Sequence, residues 1–88
     1  MELKVNDRVV LDCVVYYLKH NPAKVLKNPL IVRVVDTDYE NKFIFYLLTC
    51  SNLQSLQLTK EERIFTLPRF TVTEMIKAGA VYAITDKS

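Results

Sequence analysis

The sequence predicts one compact α+β domain over residues 1–88, built on a small, mostly antiparallel β-sheet or partly open barrel with one or two short helices. Half of the residues are apolar and a quarter are charged, which is ordinary globular composition for a chain with one small core. Several runs of β-branched and aromatic residues are bounded by turn-forming residues, as strands are. Complete helix start and stop signals occur near the C-terminal end only, so strand signals outnumber helix signals.

Residues 8–19 fit either a strand or a helix. As a helix, the segment has a polar stripe and an Asn or Asp in position to be its N-cap. As a strand, it has an uninterrupted apolar face along the odd-numbered residues 9–17. Four valines and two tyrosines favour the strand, because such side chains fit a pleated surface. Residues 5–8 would then form a tight turn, and residues 3–5 would pair back as a short first strand.

The middle of the chain predicts one helical turn followed by a hairpin. Asn-Pro at residues 21 and 22 suits a helix start, which predicts a helical turn over residues 21–27 that Pro29 ends. Residues 30–36 and 43–50 are β-rich runs separated by the polar sequence DTDYEN, which predicts a hairpin. The second run is apolar on both faces, so we expect a central strand there. Arg33 interrupts the first run and is expected on its solvent face.

The last third of the chain is predicted to end in a helix and a strand. The alternating residues 55–58 predict a second hairpin that returns at residues 64–67, and a short helix over residues 52–57 is the competing interpretation. A helix over residues 72–78 is predicted from the sequence TVTE, in which Thr71 would be the N-cap of a capping box. The single glycine follows at the position of a helix C′ residue. AVYAIT then predicts a final strand.

Residue content argues against catalysis and against a bound metal or cofactor. His20 is the only histidine, and in a strand it would lie on the opposite face from Cys13. Cys13, Cys50 and His20 are too few and too widely spaced for a structural zinc site. DTDYEN lacks the glycine and the bidentate glutamate of a calcium loop, and one glycine cannot make a nucleotide-binding loop. We therefore expect a protein that is not an enzyme, with two reduced, buried thiols.

The cellular compartment is predicted from two absences. No apolar run is long enough to cross a bilayer. The N-terminal sequence MELKVNDR mixes acidic and basic residues and has no apolar core, unlike a signal peptide. We expect a cytoplasmic protein without a membrane partner.

One stretch of the chain combines tyrosines with cations and contains no acid between residues 13 and 35. Aromatic faces that stack on bases, next to cations for phosphates, are typical of proteins that bind single-stranded nucleic acid. A solvated turn is the competing interpretation, and the net charge of only +2 favours it. The candidate surface for a partner or a nucleic acid consists of Tyr16, Lys19, His20, Lys24, Lys27 and Arg33.

The aromatic content points to a protein partner. Tyrosine and arginine are enriched where proteins meet, and sheet edges offer a further docking mode. We expect a small stand-alone binding or regulatory protein (an inhibitor, adaptor or accessory subunit), of a size frequent among proteins of viruses and mobile elements. Its partner would be another protein or a second copy of itself. RNA or single-stranded DNA binding through residues 19–33 is the alternative. The aromatics in question are Tyr16, Tyr39, Phe43, Tyr46, Phe65, Phe70 and Tyr82, all of which could instead belong to the core.

Overall fold

The computed structural model describes residues 2–12, 16–18, 21–38 and 41–84. In this part of the chain the strands are β1 (Arg8–Leu11), β2 (Tyr16–Leu18), β3 (Asn21–Leu26), β4 (Leu30–Asp38), β5 (Lys42–Cys50), β6 (Ile64–Pro68) and β7 (Val81–Ala83). One α-helix, α1 (Arg69–Lys77), lies between β6 and β7, and 3-10 turns occupy Leu53–Ser55 and Glu61–Arg63. Five strands form an antiparallel sheet in the order β6-β5-β4-β1-β7, while β2 and β3 form a separate two-stranded antiparallel sheet. The sheet does not close into a barrel.

The core lies on one face of the five-stranded sheet. Val34 of β4 lies opposite Phe45 of β5, which lies opposite Phe65 of β6, and all three side chains are buried. Alternate residues of each strand share this face because side chains in a strand point to opposite sides in turn. Val72 and Met75 of α1 belong to the same buried cluster, as do leucines from β2 and β3. The helix and the small sheet therefore cover one face of the large sheet.

The predicted fold class is confirmed: the protein is an α+β domain, mostly β, with an antiparallel sheet. The hairpin predicted over residues 30–50 is also confirmed, as β4 and β5. β5 pairs with β4 on one side and β6 on the other, as expected of an internal strand. Its second face is only partly covered, since Ile44 and Tyr46 are half-buried there.

The described residues within 8–19 follow the strand interpretation, but as two strands in different sheets. Val9 and Leu11 in β1 are completely buried, whereas Tyr17 in β2 is 62% exposed. The prediction of one apolar face that continues as far as Tyr17 is therefore wrong. Residues 13–15, which include Cys13, lie outside the described part of the chain.

The turn before β1 is confirmed, but the short strand before it is not. Asn6 has a positive φ of 76°, which asparagine tolerates better than most residues. Asn6 N–H donates to the Val34 carbonyl at 2.7 Å, and Val34 N–H donates to the Asp7 carbonyl at 2.8 Å. Residues 3–5 are not a strand, because the turn is instead fixed to β4 by this pair of hydrogen bonds.

The helical turn predicted over residues 21–27 is wrong, since this segment is the strand β3. Asn52, which follows β5, explains the difference. Its side-chain amide donates to the Val25 carbonyl at 2.7 Å and accepts from the Lys27 N–H at 3.1 Å. Ser51 N–H donates to the Lys27 carbonyl at 3.2 Å. These bonds satisfy extended backbone along one side of β3, and this tertiary pairing overrides a local helix-start signal.

Between β5 and β6 the structure contains turns rather than a hairpin strand or a longer helix. Leu53–Ser55 is a single 3-10 turn, and Leu56 is buried after it. Thr59 and Glu62 exchange the two hydrogen bonds of a capping box: Thr59 N–H donates to the Glu62 carboxylate at 3.0 Å, and Glu62 N–H donates to the Thr59 hydroxyl at 3.2 Å. The predicted return strand at residues 64–67 is confirmed as β6.

The helix and the last strand are found where they were predicted, but the helix begins differently. α1 begins at Arg69, directly after Pro68, and no side chain caps it, so Thr71 is not its N-cap. Gly79 has the expected left-handed conformation, with φ of 76°, one residue beyond the helix C-cap. Within the described residues, no helix is long and apolar enough to span a membrane.

Candidate functional site

The described residues of the predicted basic surface lie in different surroundings. Lys24 is engaged, because its Nζ lies 3.0 Å from a Glu62 carboxylate oxygen and also donates to the Gln57 carbonyl at 3.2 Å. Tyr16 packs against Phe65, with ring centres 4.8 Å apart. Lys27 is exposed.

Arg33, the last residue of that predicted surface, lies on the outer face of the large sheet. Its guanidinium donates to Asn6 Oδ1 at 3.3 Å and lies 5.7 Å from the centre of the Tyr46 ring. Arg33 is therefore separated from Tyr16, which faces the core. Lys19 and His20 lie outside the described residues, so the prediction for them stays a prediction.

The most distinctive feature of the surface is the free edge of β6. Arg69 N–H donates to the Asn41 carbonyl at 2.8 Å, one step beyond the register pair Lys42 and Pro68. Pairs in an antiparallel ladder alternate between hydrogen-bonded and non-hydrogen-bonded. Thr66 therefore directs its N–H and C=O away from β5. The carbonyl of Pro68 also points away from β5, and the lack of an N–H in Pro68 suits an edge position.

Ile64 also belongs to this free edge, but only its carbonyl is available there. Counting back along the ladder, its main-chain groups also point away from β5. Its N–H is used locally, because it donates to the Glu61 carbonyl in the preceding 3-10 turn. The carbonyl of Pro68, the N-cap of α1, accepts the first hydrogen bond of the helix. The open edge of β6 therefore presents one N–H, from Thr66, and two carbonyls, from Ile64 and Thr66.

A groove of about 430 Å³ runs beside this edge. Such a volume lies within the usual range for ligand pockets. On the far side of the groove is β2, and among the described strands β2 pairs with β3 alone, just as β6 pairs with β5 alone. The groove thus lies between two strands that each have one unpaired side. Its lining residues are Tyr16, Leu18, Asn21, Glu61, Glu62, Ile64, Phe65 and Thr66.

The floor of the groove is apolar and its rim is acidic. Leu18 and Phe65 are buried, while Ile64 is 49% exposed and available for contact. Glu61 and Glu62 lie at the rim, and Glu61 is exposed. Across the described ranges, Glu61 has no ion-pair partner, whereas Glu62 is paired with Lys24.

Glu62 joins the two sides of the groove. The Thr59 backbone N–H, and then the Lys24 ammonium, hold the pKa of its carboxyl below the ordinary value. Lys24 belongs to β3 and Glu62 to the turn that leads into β6, so their ion pair connects the small sheet to the start of the edge strand. This contact fixes the groove at one end.

Cys50, of the two predicted thiols, and Asp36, of the predicted acidic hairpin, are described and make short-range hydrogen bonds. Cys50 is buried as a free thiol and donates to Asn52 Oδ1 at 3.3 Å. Asp36 is exposed and accepts a hydrogen bond from the Thr37 N–H at 2.8 Å. No group of three or more His, Cys, Asp or Glu side chains among the described residues is placed to hold a metal ion.

The aromatic residues divide between core and surface. Phe43 and Phe65 are buried, which agrees with the competing interpretation that the aromatics form the core. Phe70, Tyr17 and Tyr82 are 75%, 62% and 47% exposed. Part of the aromatic content therefore remains on the surface, available for contacts.

Sequence reasoning did not find the groove. The signal was the sequence EERIFTLP, in which two acids precede an alternating strand that ends in proline. Proline at the end of such a run is typical of an edge strand. The contribution of Tyr16 and Leu18 could not be read locally, because it depends on how the small sheet packs against β6.

Comparison of this chain with protein-family models, curated proteins and solved structures found no match.

Proposed function

We propose that this protein is a small binding or regulatory protein that acts through contacts with another protein, and that the partner adds an extended segment to the free edge of β6. The observation that supports this is the unpaired edge at Thr66, directly beside an apolar groove. An exposed edge presents main-chain donors and acceptors to a new strand, and adjacent pockets take its side chains. An inhibitor, adaptor or accessory subunit would use such a site without performing catalysis.

Binding of RNA or single-stranded DNA through residues 19–33 is the alternative function. It has weaker support, because Lys24 already contacts Glu62 and Arg33 lies on a different face from Tyr16. Phosphate binding needs cations that are free to replace counterions.

A matched pair of proline variants tests the proposed use of β6. Thr66→Pro removes the free-edge N–H of β6 and leaves the ladder to β5 intact, because that N–H does not point toward β5. Ala83→Pro is the control. Ile84 N–H donates to the Arg8 carbonyl at 2.9 Å, so Ala83, one step earlier, also points its N–H away from its neighbouring strand, at the opposite edge of the sheet.

The probe is a displayed library of random nine-residue peptides, selected for binding to the unmodified protein. We expect the selected peptides to bind the Thr66→Pro variant about tenfold or more weakly, because a main-chain hydrogen bond is lost and the proline ring occupies the free edge. The Ala83→Pro variant should bind them with unchanged affinity. Amide hydrogen exchange at Thr66 should also slow when peptide is added. Selected peptides that bind Thr66→Pro as tightly as the unmodified protein would contradict the proposal.

Nucleic acid and self-association need their own measurements. Fluorescence anisotropy with short single-stranded oligonucleotides at ~50 and ~200 mM salt covers the range over which phosphate-driven binding collapses. Tight, salt-sensitive binding that a Lys24→Glu/Lys27→Glu variant loses would favour the nucleic-acid alternative. A dimer in sedimentation equilibrium that Thr66→Pro disperses would identify the partner as a second copy of this chain.

A further inference from the structure

The proposed function leaves the chemistry of the bound segment open, and the groove restricts it. We infer that the segment is extended and basic, with an apolar side chain on the groove floor and a Lys or Arg beside Glu61. This inference rests on the proposed function. It is carried by the juxtaposition, in one groove, of an unpaired strand edge, an apolar floor and a carboxylate that has no cationic partner among the described residues.

The main-chain pattern of β6 limits how the segment pairs. The free edge offers two carbonyls, from Ile64 and Thr66, but one N–H, from Thr66, because the Ile64 N–H is bonded to Glu61. A segment that pairs here must donate two N–H groups and accept one. Proline is therefore excluded from the two positions of the segment that donate.

The side-chain pattern follows from the alternation of a strand. Residues of the segment that point inward meet Leu18, Tyr16 and Phe65, and the apolar floor favours aliphatic or aromatic side chains there. Residues at the intervening positions point outward, toward the rim. The segment is therefore expected to alternate between apolar and polar residues.

Charge complementarity selects the sign of the polar residue. Glu61 and Glu62 both line the groove, and Lys24 already neutralises Glu62. Within the part of the chain that the structure describes, no cation is paired with Glu61. An acidic segment would meet Glu61 as a like charge, whereas Lys or Arg would pair with it, so the groove discriminates by attraction and by repulsion.

Charge exchange between the protein and its peptides tests this inference. Peptides selected on the unmodified protein should be enriched in Lys or Arg at one position next to an apolar residue. Glu61→Lys should weaken them by about three- to tenfold, an effect that shrinks at high salt because the pair is exposed. The same peptides with that Lys or Arg changed to Glu should bind Glu61→Lys more tightly than they bind the unmodified protein.

Glu74→Lys is the matched control. Glu74 lies on α1 and outside the groove, where it pairs with Lys77 at 3.4 Å, so the same charge reversal there should leave peptide affinity unchanged. Peptides that depend on the Thr66 N–H but are indifferent to Glu61→Lys would overturn the basic-segment inference and leave the proposed function standing. Peptides that are indifferent to Thr66→Pro would overturn both. If Glu74→Lys lowers peptide affinity as much as Glu61→Lys does, the effect comes from the net charge of the protein, and the inference is also overturned.

Discussion

β6 and β7 are the two edges of the same sheet, and they differ in what an incoming strand would find. β6 has five residues with alternating burial, and it borders a groove whose opposite wall is β2. β7 has three residues, with its free-edge positions at Val81 and Ala83. A very short edge strand is one of the ways in which proteins prevent unwanted pairing. The longer edge, with a second sheet beside it, is therefore the one suited to binding.

The two edges also differ in how they are held. Phe65 in β6 is buried between Phe45 and Tyr16, with ring centres 5.6 and 4.8 Å away. β7 is anchored by the smaller, buried side chain of Val81. An edge that binds a partner must itself stay in place, and aromatic packing supplies that rigidity.

The largest expected effect is the loss of the aromatic anchor of β6. Phe65→Ala should lower the free energy of unfolding by about 3–5 kcal/mol, because it deletes a buried ring and leaves a cavity. Val81→Ala at the other edge should cost less, about 1.5–3 kcal/mol, since fewer buried carbons are removed. Urea denaturation followed by circular dichroism measures both. Equal losses would show that the two edges are anchored alike.

A smaller effect is expected from the ion pair at the groove. The pKa of Glu62 is lowered by the Thr59 N–H and by Lys24, so its ionised form stabilises the folded state. That stabilisation is present above the ordinary glutamate pKa of 4.5 and is lost as pH falls through the lower folded value. The Glu62→Gln variant should therefore be less stable than the unmodified protein at pH 7, and the difference should shrink as the pH falls below 4.5.

Denaturation curves at pH 7, 5 and 3 measure this dependence, with Glu74→Gln as the control. Glu74 pairs with Lys77 on an exposed helix face, where an ion pair contributes little, so the Glu74→Gln variant should differ little from the unmodified protein in its free energy of unfolding. A Glu62→Gln difference that is the same at pH 7 and pH 3 would show that the carboxylate charge does not hold the two sides of the groove together.

The contrast between well and poorly predicted segments has a physical cause. The β4–β5 hairpin was predicted because both strands have strong β-propensity and a polar connection between them. β3 was predicted as a helical turn, whereas its backbone pairs with β2 and is bonded further by the side chain of Asn52, which is distant in sequence. Local signals cannot anticipate a hydrogen bond of that range, and tertiary contacts override propensity.

The candidate site was less predictable than the fold for the same reason. Of the predicted residues, Tyr16 lines the groove, and Lys24 contributes through its contact with Glu62. Glu61 and Thr66 were not predicted as site residues, because the groove beside β6 forms only where β2, from another part of the chain, lies opposite it. Even a short sequence pattern does not determine the local structure. TKEE and TVTE both fit the capping-box pattern, but TKEE forms the reciprocal hydrogen bonds and TVTE does not.

The smallest expected effect on stability compares two equally exposed side chains, one at each edge. Ile64 on β6 is 49% exposed and Tyr82 on β7 is 47% exposed. Ile64→Ser and Tyr82→Ser should each change the free energy of unfolding by about 1 kcal/mol or less, as substitutions of partly exposed residues do.

The two variants should differ in peptide affinity. The selected peptides should bind Ile64→Ser about three- to tenfold more weakly, since Ile64 lines the groove and its replacement removes apolar contact with them. They should bind Tyr82→Ser as tightly as the unmodified protein. Isothermal titration calorimetry on the folded variants measures this difference, and an equal loss at both positions would place the peptide on the outer sheet face rather than at the edge of β6.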